Sequence, residues 1–213
     1  MYLFSRRARL GGGKPRDSRA WATSITQRVT QTSGLQVGLW MQTLSPAVGT
    51  VVWSTFVPDL ATLESGLDKL MGDDGYHELV EQGAQFTIPG SLDDTLGVVI
   101  HGQPDPDRHP QYIASVRTTI VAGGLAKGIA LGIEIAQRAE QITGAPTAFL
   151  AGATGNYGGV SWLTAFADVA ELERAQMALN TDAGFIELID SRAPGVYTDQ
   201  PGASTQLLYR RVV

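Results

Sequence analysis

The string GATGNYG, residues 152–158, carries glycines where a dinucleotide loop needs them, for a tight turn and for close approach to a pyrophosphate. That chemistry requires the loop to leave a strand and open a helix, so that phosphate oxygens meet the free N–H groups of the first turn. Here the string runs into GVSWLTAF, whose apolar residues alternate as in a strand. Acidic residues do follow at the expected distance (Glu171, Glu173), but on the wrong element. The pattern predicts a hairpin turn rather than a nucleotide site.

The histidines are His77, His101 and His109, the only side chains that could serve as the usual axial ligand of a haem. By spacing alone none has a carboxylate to orient it, so each reads as a surface or rim residue. Asp73, Asp74, Glu78 and Glu81 surround His77, yet there is no HxH or HxxxH pair and no cysteine. No metal and no cofactor are expected. A Ser–His–acid spacing is also missing.

Aromatic and cationic residues on strands are more informative. Trp40, Trp53 and Trp162 either fill the core or form a flat wall for an aromatic ligand, with an indole N–H for a polar group. Arg7 and Arg117 lie at matching strand positions; turned into a pocket, either would hold a carboxylate or an enolate. These five are the candidate ligand-binding residues.

The elements that must position them come from a duplication. Residues 53–83 align with 162–192 without a gap, with 11 identities over 31 positions, among them Trp53/Trp162, Asp59/Asp168, Asp73/Asp182 and Gly75/Gly184. QRVTQTSG, residues 27–34, matches QRAEQITG, residues 137–144. Each half reads as strand, helix ending at Gly34 or Gly144, strand, turn, Trp-bearing strand, helix, short helix and strand. Asp59 and Asp168 are expected N-caps, and Leu60, Leu63, Leu67 and Leu70 a core stripe. The order β-α-β-β-α-β is ferredoxin-like. The expected organisation is a first repeat at 1–103, a linker at 104–109 and a second repeat at 110–213.

Two such repeats in tandem resemble the dimeric α+β barrel superfamily in its fused form, over nearly the whole chain. The resemblance implies an α+β fold in which tandem ferredoxin-like repeats build a pseudo-twofold barrel, with pockets between helices and sheet within a half. It also implies the functions of the superfamily: cofactor-independent monooxygenases, haem-binding enzymes, isomerases, and members without catalysis. The expected function is binding of a small apolar or aromatic molecule, with cofactor-independent monooxygenase or isomerase as the activity class. The alternative is a non-catalytic protein that builds a homo-oligomer.

Composition bounds the partners. Of 213 residues 43% are hydrophobic and 17% charged, enough for a packed core, and the net charge of −5 gives no field for nucleic acid. The basic cluster Arg6, Arg7, Arg9, Lys14, Arg16 and Arg19 reads as a solvated rim. The most apolar stretch, residues 113–135, is broken by Arg117, Lys127 and four glycines, so no membrane span is expected and the protein is read as cytoplasmic. Gly124, Gly128 and Gly132 recur along one helix where the first half has Trp21, Ile25 and Val29. Glycine costs about 1 kcal/mol in a helix interior. A close contact must offset it, and a homo-oligomer interface is the expected one.

Overall fold

The structure is a computed structural model describing residues 1–105 and 108–213; Pro106 and Asp107, in the expected linker, lie outside the described residues. The first half runs β1 (Tyr2–Arg9), α1 (Pro15–Ser33), β2 (Gly38–Gln42), β3 (Thr50–Val57), α2 (Leu60–Met71), α3 (Asp74–Gly83) and β4 (Asp93–His101). The second repeats it as β5 (Tyr112–Thr119), α4 (Leu125–Thr143), β6 (Thr147–Gly152), β7 (Gly159–Phe166), α5 (Val169–Thr181), α6 (Ala183–Arg192) and β8 (Thr205–Arg211). The strands are hydrogen-bonded in the closed order β1-β3-β2-β8-β5-β7-β6-β4. The protein is thus an α+β barrel of two β-α-β-β-α-β repeats. GATGNYG joins the antiparallel pair β6 and β7, as a hairpin turn.

The chain divides into two compact units, Met1–Leu96 with Arg210–Val213, and Gly97–Tyr209. In unit 1 the returning C-terminus exchanges main-chain hydrogen bonds with Leu39, of 3.2 Å to Val213 and 2.8 Å from Val212. In unit 2 the end of β4 pairs with β6, with a register shift between Val99 and His101.

Local chemistry sets the boundaries. α1 and α4 stop at Gly34 and Gly144, whose φ values of 77° and 68° lie in the left-handed region that glycine enters without steric cost. Asp59 and Asp168 accept from the amides of Thr62 and Glu171, at 2.8 and 2.7 Å. Asp73 and Asp182 do the same for α3 and α6, and each also receives an arginine from the long helix of its unit, Arg28 or Arg138. These contacts hold both carboxyls below the usual carboxylate range: Arg28 and Thr32 at Asp73, the Phe185 amide and Arg138 at Asp182. The stripe on α2 is shorter than its leucines suggest. Leu63 and Leu70 are buried, but Leu60, in the first turn, is 46% exposed.

The glycine reading needs correction. Gly128 and Gly132 are buried and face their own sheet. A Cβ on Gly128 would come within 2.5 Å of the Ile120 side chain, and one on Gly132 within 2.1 Å of the Phe149 ring. Gly124 precedes the helix, where a Cβ would meet Val121 at 3.1 Å. The body that approaches is this chain's own core, not a neighbouring subunit.

Candidate functional site

Residues opposite one another on antiparallel strands share a face of the sheet, and neighbours along a strand take opposite faces. In unit 1, Arg6, Trp53 and Leu39 form one cross-strand row, and Arg7, Val52 and Trp40 the next. In unit 2, Val116, Trp162 and Phe149 correspond to the first row, and Arg117, Ser161 and Leu150 to the second. The five candidate residues are therefore split. Trp53 and Trp162 face the helices; Trp40, Arg7 and Arg117 face the other way.

On the helix side the tryptophans are engaged within the protein. The Trp53 indole donates to the Thr26 hydroxyl at 2.9 Å, which itself donates to the Ala22 carbonyl at 2.6 Å. The Trp162 indole donates directly to the Gly132 carbonyl, at 2.8 Å. Trp21 packs edge-on to Trp53 with centroids 5.9 Å apart, and its N–H donates to the Leu79 carbonyl at 2.7 Å. Phe149 and Tyr197 contact Trp162 at 5.1 and 5.5 Å. The Tyr197 hydroxyl donates to the Gly128 carbonyl at 2.7 Å, and burial raises its pKa.

The opposite face carries the polar chemistry, and the two units differ there. Arg7 is ion-paired with Asp93, and on the helix side Arg6 grips Asp94 through two hydrogen bonds of 2.8 and 2.7 Å. Both acids open β4. The matching strand β8 opens on Thr205 and Gln206, which supply no such acids. Arg117 instead donates to the Ser115 hydroxyl at 3.3 Å and the Tyr209 hydroxyl at 3.4 Å. Ser115 is fully buried and Tyr209 is 7% exposed. Among the described residues no carboxylate pairs with Arg117. A half-buried guanidinium held by two hydroxyls keeps donors for an anionic oxygen.

Trp40 lies on this face in unit 1, its indole donating to Ser54 at 3.0 Å, with the Arg211 guanidinium 5.8 Å from the ring centroid. Ser115, Tyr209 and Asp93 carry no motif. Only the repeated Ser-x-Arg of Ser5–Arg7 and Ser115–Arg117 gives a signal for the first.

The histidines are dispersed. His77 contacts the Met71 carbonyl at 3.0 Å and His109 is exposed. His101 does have a carboxylate, Glu140 at 3.4 Å, on a helix 39 residues further along, a separation that no spacing rule detects. Among the described residues no group of three or more potential ligands could hold a metal ion, and no helix is long and apolar enough to cross a membrane. An open groove of about 560 Å³ between α4 and α5 is bordered by Ile142, Asp168, Glu171 and Arg174. Its acids are already used, Asp168 as a cap and Glu171 by the Ala167 amide and Arg108.

No protein-family model matches the sequence, and no curated protein matches it. Solved structures do share its fold. A protein assigned as a monooxygenase from Fusobacterium nucleatum superposes with a TM-score of 0.72 at 7% identity, over 100% of this chain and 92% of that one. One so assigned from Lactobacillus acidophilus gives 0.65 at 8%, over 99% and 93%. An anthrone oxidase-like protein gives 0.64 at 12%, over 100% and 91%. The fold is that of the dimeric α+β barrel proteins.

Proposed function

We propose that the chain binds a small apolar or aromatic molecule bearing an acidic or enolisable oxygen, with Arg117 as its anchor. The observation that supports this reading is that, among the described residues, Arg117 is paired with hydroxyls alone, where its counterpart Arg7 has a carboxylate. Ser115 and Tyr209 act as positioning residues that fix the guanidinium. Leu150 and Ser161, in the same row, border the ligand's body.

The activity class that fits is cofactor-independent oxygenation, in line with the names carried by the structural neighbours. A carbon conjugated with a carbonyl loses a proton, and the resulting enolate or phenolate oxygen forms its ion pair with Arg117. The enolate's electrons then reduce dioxygen. One oxygen atom enters the product as a new carbonyl and the other leaves as water, so no external reductant is required. An isomerase would use the same enolate and return the proton at another carbon.

Anthrone and oxygen form a direct test. Wild type should consume oxygen and form anthraquinone; Arg117→Met should reduce the rate at least tenfold, while Arg7→Met should not. Equal rates in the two variants would refute the assignment.

A second reading, a non-catalytic protein that builds a homo-oligomer, is favoured by the helix–sheet layers, which are filled by Trp21, Trp53, Phe149, Trp162 and Tyr197. It expects no turnover and an oligomer whose size is unchanged by Arg117→Met.

A further inference from the structure

Where β1 ends in unit 1, residues 9–11 tie two loops together. The Leu10 amide donates to the Gly49 carbonyl at 2.9 Å, which fixes the tip of the β2–β3 hairpin. The Ile88 amide donates to the Arg9 carbonyl at 2.8 Å and the Gly11 amide to the Phe86 carbonyl at 2.7 Å, which fixes the loop before β4. Both loops present apolar side chains to solvent. Leu44 and Val48 are 84% and 78% exposed, more than any other Leu, Ile, Val or Met described, and Leu92 is 61% exposed. Leu44 has a φ of 48° and Ala47 one of 61°, left-handed values that glycine or asparagine takes at less cost. Residues 9–19 add four cations against one acid, Asp17. Arg9, Lys14 and Arg16 are exposed, and among the described residues none of them is ion-paired. Unit 2 builds the same frame, with the Ile120 amide on the Gly158 carbonyl and the Thr198 amide on the Thr119 carbonyl, both at 2.9 Å. In register, Arg9, Lys14, Arg16 and Ile88 correspond there to Thr119, Gly124, Ala126 and Thr198. Its tip exposes Tyr157, but no such cations accompany it. The frame therefore does not require the apolar and basic side chains that unit 1 places on it.

We infer that this end of unit 1 docks on an anionic lipid surface, with Leu44, Val48 and Leu92 entering the interface and Arg9, Lys14 and Arg16 meeting the headgroups. Side chains this exposed, on two separate loops, form protruding tips rather than a groove for a partner's side chains. A fluid interface accepts such tips without a complementary shape. Binding of this kind grows with the apolar area buried plus the attraction to anionic lipid, and it needs no spanning helix. Each Lys or Arg held near an anionic surface raises affinity about fivefold, so the three together give about a hundredfold. Asp93 and Asp94, which follow Leu92, are already paired with Arg7 and Arg6. The net charge of −5 does not oppose docking, because salt screens charges that lie beyond about 10 Å. The inference is independent of the Arg117 reading.

The experiment is flotation of the full chain with vesicles of phosphatidylcholine, alone or with about one third phosphatidylserine. Wild type should bind the anionic vesicles at least about tenfold more tightly than the neutral ones. Lys14→Glu combined with Arg16→Glu should lower that binding about tenfold or more, and so should Leu44→Asn combined with Val48→Asn. The same charge change in unit 2, Lys127→Glu with Arg174→Glu, should leave it in place. Asparagine suits both the exposure and the left-handed φ of Leu44, so the Leu44→Asn, Val48→Asn variant should unfold no earlier on heating than wild type. That readout separates lost docking from a lost fold. Equal binding to both vesicles, binding to neither, or equal losses from the two charge changes would overturn the proposal. A wild-type oligomer that Leu44→Asn with Val48→Asn dissociates would also overturn it, by assigning the tip to a second copy of the chain.

Discussion

The two units build the same layer of tryptophan against helix, yet they close it with different parts. In unit 1, Ala22 on the helix faces a sheet that presents Leu39; in unit 2 the matching positions are Gly132 and Phe149, and the space freed by the missing Cβ is taken up by the ring. The tryptophan N–H is directed to the same helical carbonyl in both. Trp162 reaches it directly, whereas Trp53 reaches it through the Thr26 hydroxyl, for which unit 2 has Ala136. A core tolerates exchange of volume between facing positions and exchange of a hydroxyl for a direct bond, provided both sides change together. On the opposite face the units are not interchangeable: Arg7 is paired with a carboxylate, and among the described residues Arg117 is not.

The largest effect is expected at Gly132. Gly132→Ala should cost about 1–3 kcal/mol, because the new methyl meets a ring held in a filled core. Adding Phe149→Leu, which rebuilds the Ala22–Leu39 pair of unit 1, should recover most of it. Thermal or denaturant unfolding of the single and double variants measures the coupling; additive losses would break the volume-exchange account. Ala22→Gly, the reverse change, should cost only about 1 kcal/mol.

Thr26→Ala comes next, at about 1–2 kcal/mol, since it leaves the half-buried Trp53 N–H without its acceptor. Chemical denaturation gives the value. No loss would mean that the indole reaches the Ala22 carbonyl unaided, as Trp162 reaches Gly132.

Tyr197 makes a pH prediction. Burial raises its folded pKa above the ordinary 10.0, so its contribution is complete below about pH 10 and is lost as pH rises toward the folded value. Tyr197→Phe should cost about 1 kcal/mol at neutral pH through the Gly128 carbonyl and flatten the alkaline limb of the stability profile.

The last comparison is at the helix caps. Asp73 has its folded pKa depressed below 3.8, so its contribution is present above that pH and fades as pH falls toward the folded value. Asp73→Asn should lower stability at pH 7 and leave it almost unchanged near pH 2, so that part of the acid loss between about pH 4 and 2 disappears.

Much of the fold was legible because a duplication reports topology without any structural template: Trp53 and Trp162, Gly34 and Gly144, and the two capping aspartates mark the same places in each half. The glycine stripe was misread from an available signal. Gly128 and Gly132 fall at helical spacing with Leu131, Ile135 and Ala139, so they belong to the face that packs on the sheet. At the candidate site, Arg117 was visible as a strand arginine, but its neighbours were not. Tyr209 is 92 residues away, and the Asp93 that neutralises Arg7 is 86 residues from it. Only pairing of distant strands brings such groups together, and nothing in local spacing encodes which arginine keeps its charge free.

The inequality of Arg7 and Arg117 is the centre of this account, and side-chain NMR of the arginine Nε–H groups tests it most directly. With signals assigned through Arg7→Lys and Arg117→Lys, 2-naphthoate is titrated into the labelled protein. The Arg117 signal should shift saturably while that of Arg7 stays in place. A shift at Arg7 with Arg117 unmoved, or no shift at either, would contradict it.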